Sequence, residues 1–199
     1  MVKLLKSIKR KLPFIWRFIE FLNGIIVLAF YSRPIKMAVI DSFKPAVRLN
    51  YRYRQLMLSD LPHLECMLAA QSAGFDSFFK PHGFDLKTLK RLYKNPSFLM
   101  FGAFDNEKIV GYFFLRFFAN RTAFRGKMVD SKYQRKGIAK EMGYIMTDIA
   151  FKAGFRLYAT ISKFNYGSMA SSEAVNEIHI IKKLPDNYMY IEYGKIAKC

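Results

Sequence analysis

Two apolar, aromatic-rich runs, residues 98–104 and 109–118, flank the four polar residues Asp105-Asn106-Glu107-Lys108. Runs of this length and composition, separated by a turn this short, pair as an antiparallel hairpin. The rest of the chain has to be arranged around that pair. Ahead of it, Arg52-Tyr53-Arg54-Gln55-Leu56 alternates as a short strand does. Ser59-Asp60-Leu61-Pro62 carries helix-start chemistry, with Ser or Asp as cap and Pro in the first turn. Leu64, Met67, Leu68 and Gln71 continue that helix, and residues 85–92 form a second, closed by Asn95-Pro96. After the hairpin, residues 123–129 read as a third strand. Residues 137–153 place Ile138, Met142, Ile145 and Ile149 at helical period. Strands at 156–162 and 188–193, with a weak helix between them, complete the order. The expected fold is α/β (α+β): a mixed, mainly antiparallel sheet flanked by helices.

An apolar content of 52% supplies a sizeable core and argues against disorder. Of the net charge of +18, residues 1–50 hold ten Lys/Arg against Glu20 and Asp41, a surplus of eight, and residues 51–199 hold the other ten. Such a surface attracts nucleic acid, anionic lipid or a phosphorylated cofactor. No helix-turn-helix, zinc-finger or RNP-type signature is present, so nucleic acid is not expected as a partner. Cys66 and Cys199 lack CxxC or Cys/His neighbours, so neither a metal site nor a disulfide scaffold is expected.

Residues 1–34 form a basic, apolar leader, residues 35–48 a linker, and residues 49–199 the globular domain. At helical spacing, Lys3, Lys6, Arg10, Pro13, Arg17 and Glu20 make one polar stripe. Leu5, Ile8, Leu12, Ile15, Ile19 and Leu22 line the other side. This predicts an N-terminal amphipathic helix bent at Pro13. A spanning helix would put Arg17 and Glu20 in hydrocarbon, which is costly. Tyr31-Ser32-Arg33-Pro34 offers no signal-peptide cleavage site. An interfacial helix needs only an amphipathic stripe and basic residues, so residues 1–31 are expected on the inner face of a membrane, with the domain cytoplasmic. The same stripe also suits packing on the chain's own domain or on a second subunit, making a homodimer.

The chemistry-bearing stretch is residues 127–139, Lys-Met-Val-Asp-Ser-Lys-Tyr-Gln-Arg-Lys-Gly-Ile-Ala. A strand ends at Val129 and a long helix opens near Gly137. Helix starts have unpaired N–H groups and the positive end of the macrodipole, so they bind phosphate. Gly137 and Ala139 let a diphosphate approach the backbone, and Arg135 and Lys136 add positive charge.

The run Gln134-Arg135-Lys136-Gly137-Ile138-Ala139, preceded by Val129-Asp130, resembles the signature of the GNAT acetyltransferase superfamily. Its pattern is Gln or Arg, two residues, Gly, one residue, then Gly or Ala, between the fourth strand and the third helix. The resemblance covers roughly 145 residues in element order, from Tyr51 onward. It implies acetyl-CoA as co-substrate, its pyrophosphate held by amides of Gln134, Arg135, Lys136, Gly137, Ile138 and Ala139, its pantetheine arm along Met128 and Val129. It further implies that Asn165 bonds the pantetheine or orders the following loop.

Family members often carry a Tyr seven residues beyond that Asn, where its hydroxyl protonates the departing thiolate. Here Ser172 stands there, and Ala174-Val175-Asn176 replaces the usual Gly-Phe ending. Ser172, Tyr166 or water are the candidates for this acid. The alternatives are a catalytically degenerate CoA-binding domain, or a basic nucleic-acid- or membrane-binding module. For the base that deprotonates an amine acceptor, His82 and Asp76 flank a loop between the first two helices. The chain is also similar, less specifically, to bacterial GNAT proteins encoded with surface-polysaccharide enzymes, and a leader at a membrane surface would suit a small-molecule acceptor such as a lipid-linked or nucleotide-linked amino sugar.

Overall fold

The computed structural model describes residues 13–43, 51–71, 79 and 81–196. The expected hairpin is its centre. Strand β2 (Phe98–Asp105) pairs antiparallel with β3 (Lys108–Phe117), and Asn106 adopts the left-handed φ of 53° that Asn tolerates in tight turns. Strand β1 (Arg52–Gln55) adds to β2, and β4 (Thr122–Val129) adds to β3, both antiparallel. Strands β5 (Arg156–Ser162), β6 (Asn176–Leu184) and β7 (Tyr188–Ile196) complete a seven-stranded sheet in the order β1-β2-β3-β4-β5-β7-β6.

The β4–β5 contact differs from the others. It is parallel and pairs only Thr122, Ala123 and Phe124 with Arg156, Leu157 and Tyr158. Beyond these residues both strands continue unpaired with each other, so the sheet splits. The whole β5-β7-β6 unit is thus joined to the hairpin sheet by one short ladder.

Strand β6 was not expected from the sequence. It is an edge strand whose side chains are mostly exposed, with Lys182 and Lys183 at its outer end. Edge strands need no continuous apolar pattern, and lysines discourage further pairing.

Both faces of the hairpin are covered. On one lie α2 (Leu61–Ala69) and α3 (Leu86–Tyr93), enclosing Leu61, Leu64, Leu68, Leu89, Met100, Phe104 and Tyr112. Asp85 caps α3, accepting from the Thr88 N–H. Asp60 does not cap α2. Its carboxylate instead accepts two N–H groups of Arg54, at 2.6 and 2.9 Å, and the Met57 amide.

The other face carries α1 (Pro13–Phe43) and α4 (Ile138–Lys152). A further helix, α5 (Tyr166–Glu173), follows β5.

Helix α1 is not a detached leader. Gly24, Val27, Ile35, Ala38 and Ser42 are buried, with Tyr31 half-buried, at the three-and-four spacing of one helix seam. Asn23 fastens that seam: its Nδ2 donates to the Phe117 carbonyl, and its Oδ1 accepts from the Ala119 amide. Tyr31 donates to the Ala119 carbonyl, Ser42 to Asp148, and Arg116 to Glu20. Residues 35–43, expected as linker, are therefore helical, because the seam continues through them. Pro34 sits on the exposed side, where the backbone acceptor it leaves unpaired faces away from the domain. Lys3, Lys6 and Arg10 of the expected stripe lie outside the described residues, as does the chain before the bend expected at Pro13.

His82 packs, half-buried, against the α2/α3 core. Its Nδ1 lies 2.8 Å from the Gly83 carbonyl and its Nε2 3.0 Å from the Tyr112 hydroxyl. A carbonyl only accepts, so Nδ1 carries the hydrogen and Nε2 accepts from the phenol. The rings of Phe84, Phe98 and Phe114 enclose the imidazole at 5.7–5.8 Å. Burial holds the pKa of His82 below, and that of Tyr112 well above, their ordinary values.

Replacing Asn23 by Ala leaves two backbone groups unpaired and should cost about 1–3 kcal/mol, measured by urea unfolding. Because the folded state resists protonating His82, stability should fall as pH drops through the ordinary histidine value of about 6.5. His82→Gln should flatten that slope, and an unchanged slope would count against the buried neutral imidazole.

Candidate active site

The split between β4 and β5 opens into a cleft of about 1030 Å³. Residues Gly126–Val129 form one wall, Ala159–Ile161 the other, and the starts of α4 and α5 close it on the α4 face. The β4 edge that faces β5 carries backbone donors and acceptors that no strand takes up past Phe124. An extended chain carrying amides can pair with such an edge.

At the mouth, the backbone turns sharply. Asp130 accepts the Lys132 amide on its carboxylate and the Tyr133 amide on its carbonyl. Ser131 is tied through its amide to Gln71 at the end of α2. Arg135 and Gly137 then both take left-handed φ, 60° and 81°, with Gly137 at the N-cap of α4. Only glycine adopts that conformation without strain, which is why it stands one residue before the helix. The Gly137 carbonyl accepts from the amides of Lys140 and Glu141. Among the described residues, none accepts from the amides of Gly137, Ile138 and Ala139. Successive free N–H groups at a helix N-terminus make an anion-binding concavity.

Most of the residues singled out in the sequence meet here. Met128, Val129, Gln134, Arg135, Gly137, Ile138, Ala139, Asn165 and Ser172 all line the cleft. Ile138 does so through its backbone, its side chain being buried in the core. Lys136 does not line it; its ammonium rests 4.7 Å from the Tyr133 ring centroid. Asn165 caps α5, its Oδ1 accepting from the Ser168 amide, which orders the loop after β5. Ser172 is fully buried, with its Oγ 3.3 Å from the Tyr193 hydroxyl.

His82 is not among the lining residues. It lies one layer behind Phe98 and Phe114 with both nitrogens engaged, so its expected role as base is not supported. Asp76 lies outside the described residues.

Lining residues not singled out from the sequence include Arg125, Lys127 and Tyr193. The Arg125 guanidinium is buried, its Nη1 donating to the Gly143 carbonyl, the Thr147 hydroxyl and the Asn176 carboxamide. Its Nε and Nη2 are buried without partners among the described residues, and its Cζ lies 3.4 Å from the Tyr193 ring centroid. Lys127 donates to the carbonyls of Ala139 and Ser171. Burial, and then the charge of Arg125, hold its pKa well below the usual lysine value. The signal was available: two cations at period two put both on one face of an otherwise apolar strand.

At the opposite end the cleft is aromatic. Phe79, Phe98, Phe114, Phe118 and Phe124 line it on the α2/α3 face, and Phe98 stacks on Phe114 with centroids 4.8 Å apart. Arg116, held 2.9 Å from Glu20 of α1, stands at this end. No Asp, Glu or His occurs among the described lining residues, whereas Arg116, Arg125, Lys127, Arg135 and Lys140 do. The cleft thus passes through the sheet, with an anion-binding turn on one side and an aromatic, cationic wall on the other.

Among solved structures, the GNAT domain of the Streptomyces lividans protein PAT superposes with a TM-score of 0.60 at 14% identity, covering 72% of this chain and 89% of that one. Aminoglycoside acetyltransferase AAC(6')-Ib, in complex with paromomycin and acetyl-CoA, gives 0.58 at 14% identity, covering 72% and 93%. Mycobacterium smegmatis RimJ, in complex with CoA-disulfide, gives 0.56 at 17%, covering 71% and 80%. Identities this low establish a shared fold. No curated protein sequence matches the chain. Residues 64–171, more than half of the chain, match the acetyltransferase (GNAT) family, and they run from within α2 through the hairpin, β4, α4 and β5 into α5. The chain belongs to the acetyltransferase (GNAT) family.

Proposed function

We propose that this protein moves an acetyl group from acetyl-CoA to an amine by direct attack on the thioester. The observation that carries the reading is the trio of free amides at Gly137, Ile138 and Ala139, set at the mouth of a cleft. The residues present suit the cofactor: a left-handed glycine for close backbone approach, Arg135 and Lys140 for charge, and an unpaired β4 edge for the amides of the pantetheine arm. The diphosphate would sit on the turn, with the thioester reaching into the split. A backbone N–H of the parted β4 segment would stabilise the oxyanion as the amine attacks. The described wall offers no carboxylate or imidazole, so the amine's proton leaves through water at the open aromatic end.

That same end favours an acceptor with an apolar or anionic part, such as a nucleotide-linked or lipid-linked amino sugar, over a free polycation. Helix α1 supports the lipid-linked form. Its residues Arg17–Phe43 are long and apolar enough to cross a bilayer. However, its inner seam is fastened to the domain from Glu20 to Ser42, and a helix so held does not span. Its outer face exposes Phe14, Phe18, Phe21, Leu22, Ile25 and Phe30, with Phe14 at 80% and Phe30 at 74%. An apolar face on a strongly basic chain suits the surface of an anionic membrane, the domain staying cytoplasmic.

Saturating acetyl-CoA should raise the melting temperature, a concentration of 100 times Kd corresponding to about 2.7 kcal/mol. Gly137→Asp puts a side chain and a negative charge where the phosphates must sit, and should abolish the shift; an undiminished shift would sink the reading. On vesicles containing phosphatidylglycerol, the full chain should float with the lipid, and the triple change Phe18→Ser, Phe21→Ser, Ile25→Ser should release it. Release without any change, together with a concentration-dependent dimer that the triple change breaks, would assign the face to a second copy instead.

A further inference from the structure

Direct transfer makes a C–N bond and breaks the C–S bond, whose electron pair leaves with sulfur. The departing CoA thiolate needs a proton, and Ser172 is poorly suited to give it, because an aliphatic alcohol is a weaker acid than a phenol. The cleft holds other hydroxyls. Tyr133 donates to Asp105 at 3.0 Å, outside the split. Tyr166 is 74% exposed at the mouth. Tyr188 stands opposite Ser162 at the outer end of the β5–β7 ladder. Tyr193 is different: it lines the cleft, is only 4% exposed, and comes from the inner part of β7 opposite Leu157.

We propose that Tyr193 is the general acid of this cleft, its phenol protonating the CoA sulfur as the thioester breaks. The proposal rests on the acetyl-transfer reading given above. Its hydroxyl lies 3.3 Å from Ser172 Oγ, so a phenol reaches from β7 the point where α5 presents only a serine. Ser172 can donate to the phenolate oxygen once the proton has gone. Arg125 packs its guanidinium against the ring, Cζ 3.4 Å from the centroid, with Nε and Nη2 otherwise unpartnered among the described residues. A cation so placed offsets the charge that proton transfer leaves on the ring. The buried guanidinium, unexplained by packing alone, thereby has a use. Lys127 is the competing donor, but two of its N–H directions are spent on the Ala139 and Ser171 carbonyls. The cycle closes when the phenolate regains a proton from the acylated amine through water, so no other reagent is consumed.

The test uses the full chain with an accepted amine, following free thiol. Tyr193→Phe should keep the acetyl-CoA melting shift and the KM for acetyl-CoA within twofold while kcat falls at least 30-fold (about 2 kcal/mol). The alkaline limb of the kcat profile should vanish. Fluorotyrosine at position 193 keeps the shape of the side chain but has a more acidic phenol, so it should move that limb to lower pH. Ser172→Ala should lower kcat only a few-fold. An alkaline limb unmoved by fluorotyrosine, or one removed by Lys127→Met and untouched by Tyr193→Phe, overturns the assignment. A wild-type chain that shifts with acetyl-CoA yet releases no thiol with any amine overturns the transfer reading, and this proposal with it.

Discussion

Three residue pairs hold the sheet together where it matters most. Among the described residues, Thr122, Ala123 and Phe124 against Arg156, Leu157 and Tyr158 are the only ladder between the hairpin half and the β5-β7-β6 half. A longer ladder would zip the sheet closed and bury the backbone edge of β4. A missing one would leave the two halves joined through α4, which packs on both. The aromatic residues at this junction reinforce it, with Phe124, Tyr190 and Tyr158 stacked in succession at centroid distances of 5.8 and 5.3 Å. The cleft is therefore a consequence of where pairing stops, and the Gly137 turn lies at its mouth because α4 must start where β4 ends.

This explains which parts were legible in sequence. The hairpin, α3 and α4 follow from periodicity and punctuation, both local. The Gly137 turn is likewise local: a left-handed glycine before an amphipathic helix leaves a fixed trace. Strand β6 left none, because an exposed edge strand is selected for solubility more than for burial. His82 misled for a related reason. A histidine in a loop looks available, and only tertiary packing shows the imidazole enclosed by rings and paired with Tyr112. Tyr193 was hidden in the opposite sense: a tyrosine in a strand looks like packing until the distance to Ser172, 21 positions away, is known.

The boundary drawn between leader and domain failed on the same kind of information. An apolar helix preceding a domain is indistinguishable, from its own residues, from one that belongs to it. What decides is the buried seam of Gly24, Val27, Ile35, Ala38 and Ser42, with Gly24 set against Asn95 and Pro96 and Ser42 bonded to Asp148 of α4. Asn23 makes the point sharply. Its side chain completes the backbone bonding of Phe117 and Ala119 at the end of β3, so helix and sheet satisfy one another.

That attachment links the helix to the cleft. Glu20 holds Arg116, and Arg116 both lines the aromatic end of the cleft and lies 5.0 Å from the Phe118 ring centroid. Any surface that the outer face of α1 contacts is consequently held at a fixed distance from the aromatic end of the cleft. A flexible tether would give only proximity, whereas a helix shared with the core gives orientation. The cost is that α1 exposes a large apolar face whenever it is not covered, and such faces drive aggregation unless a partner takes them up.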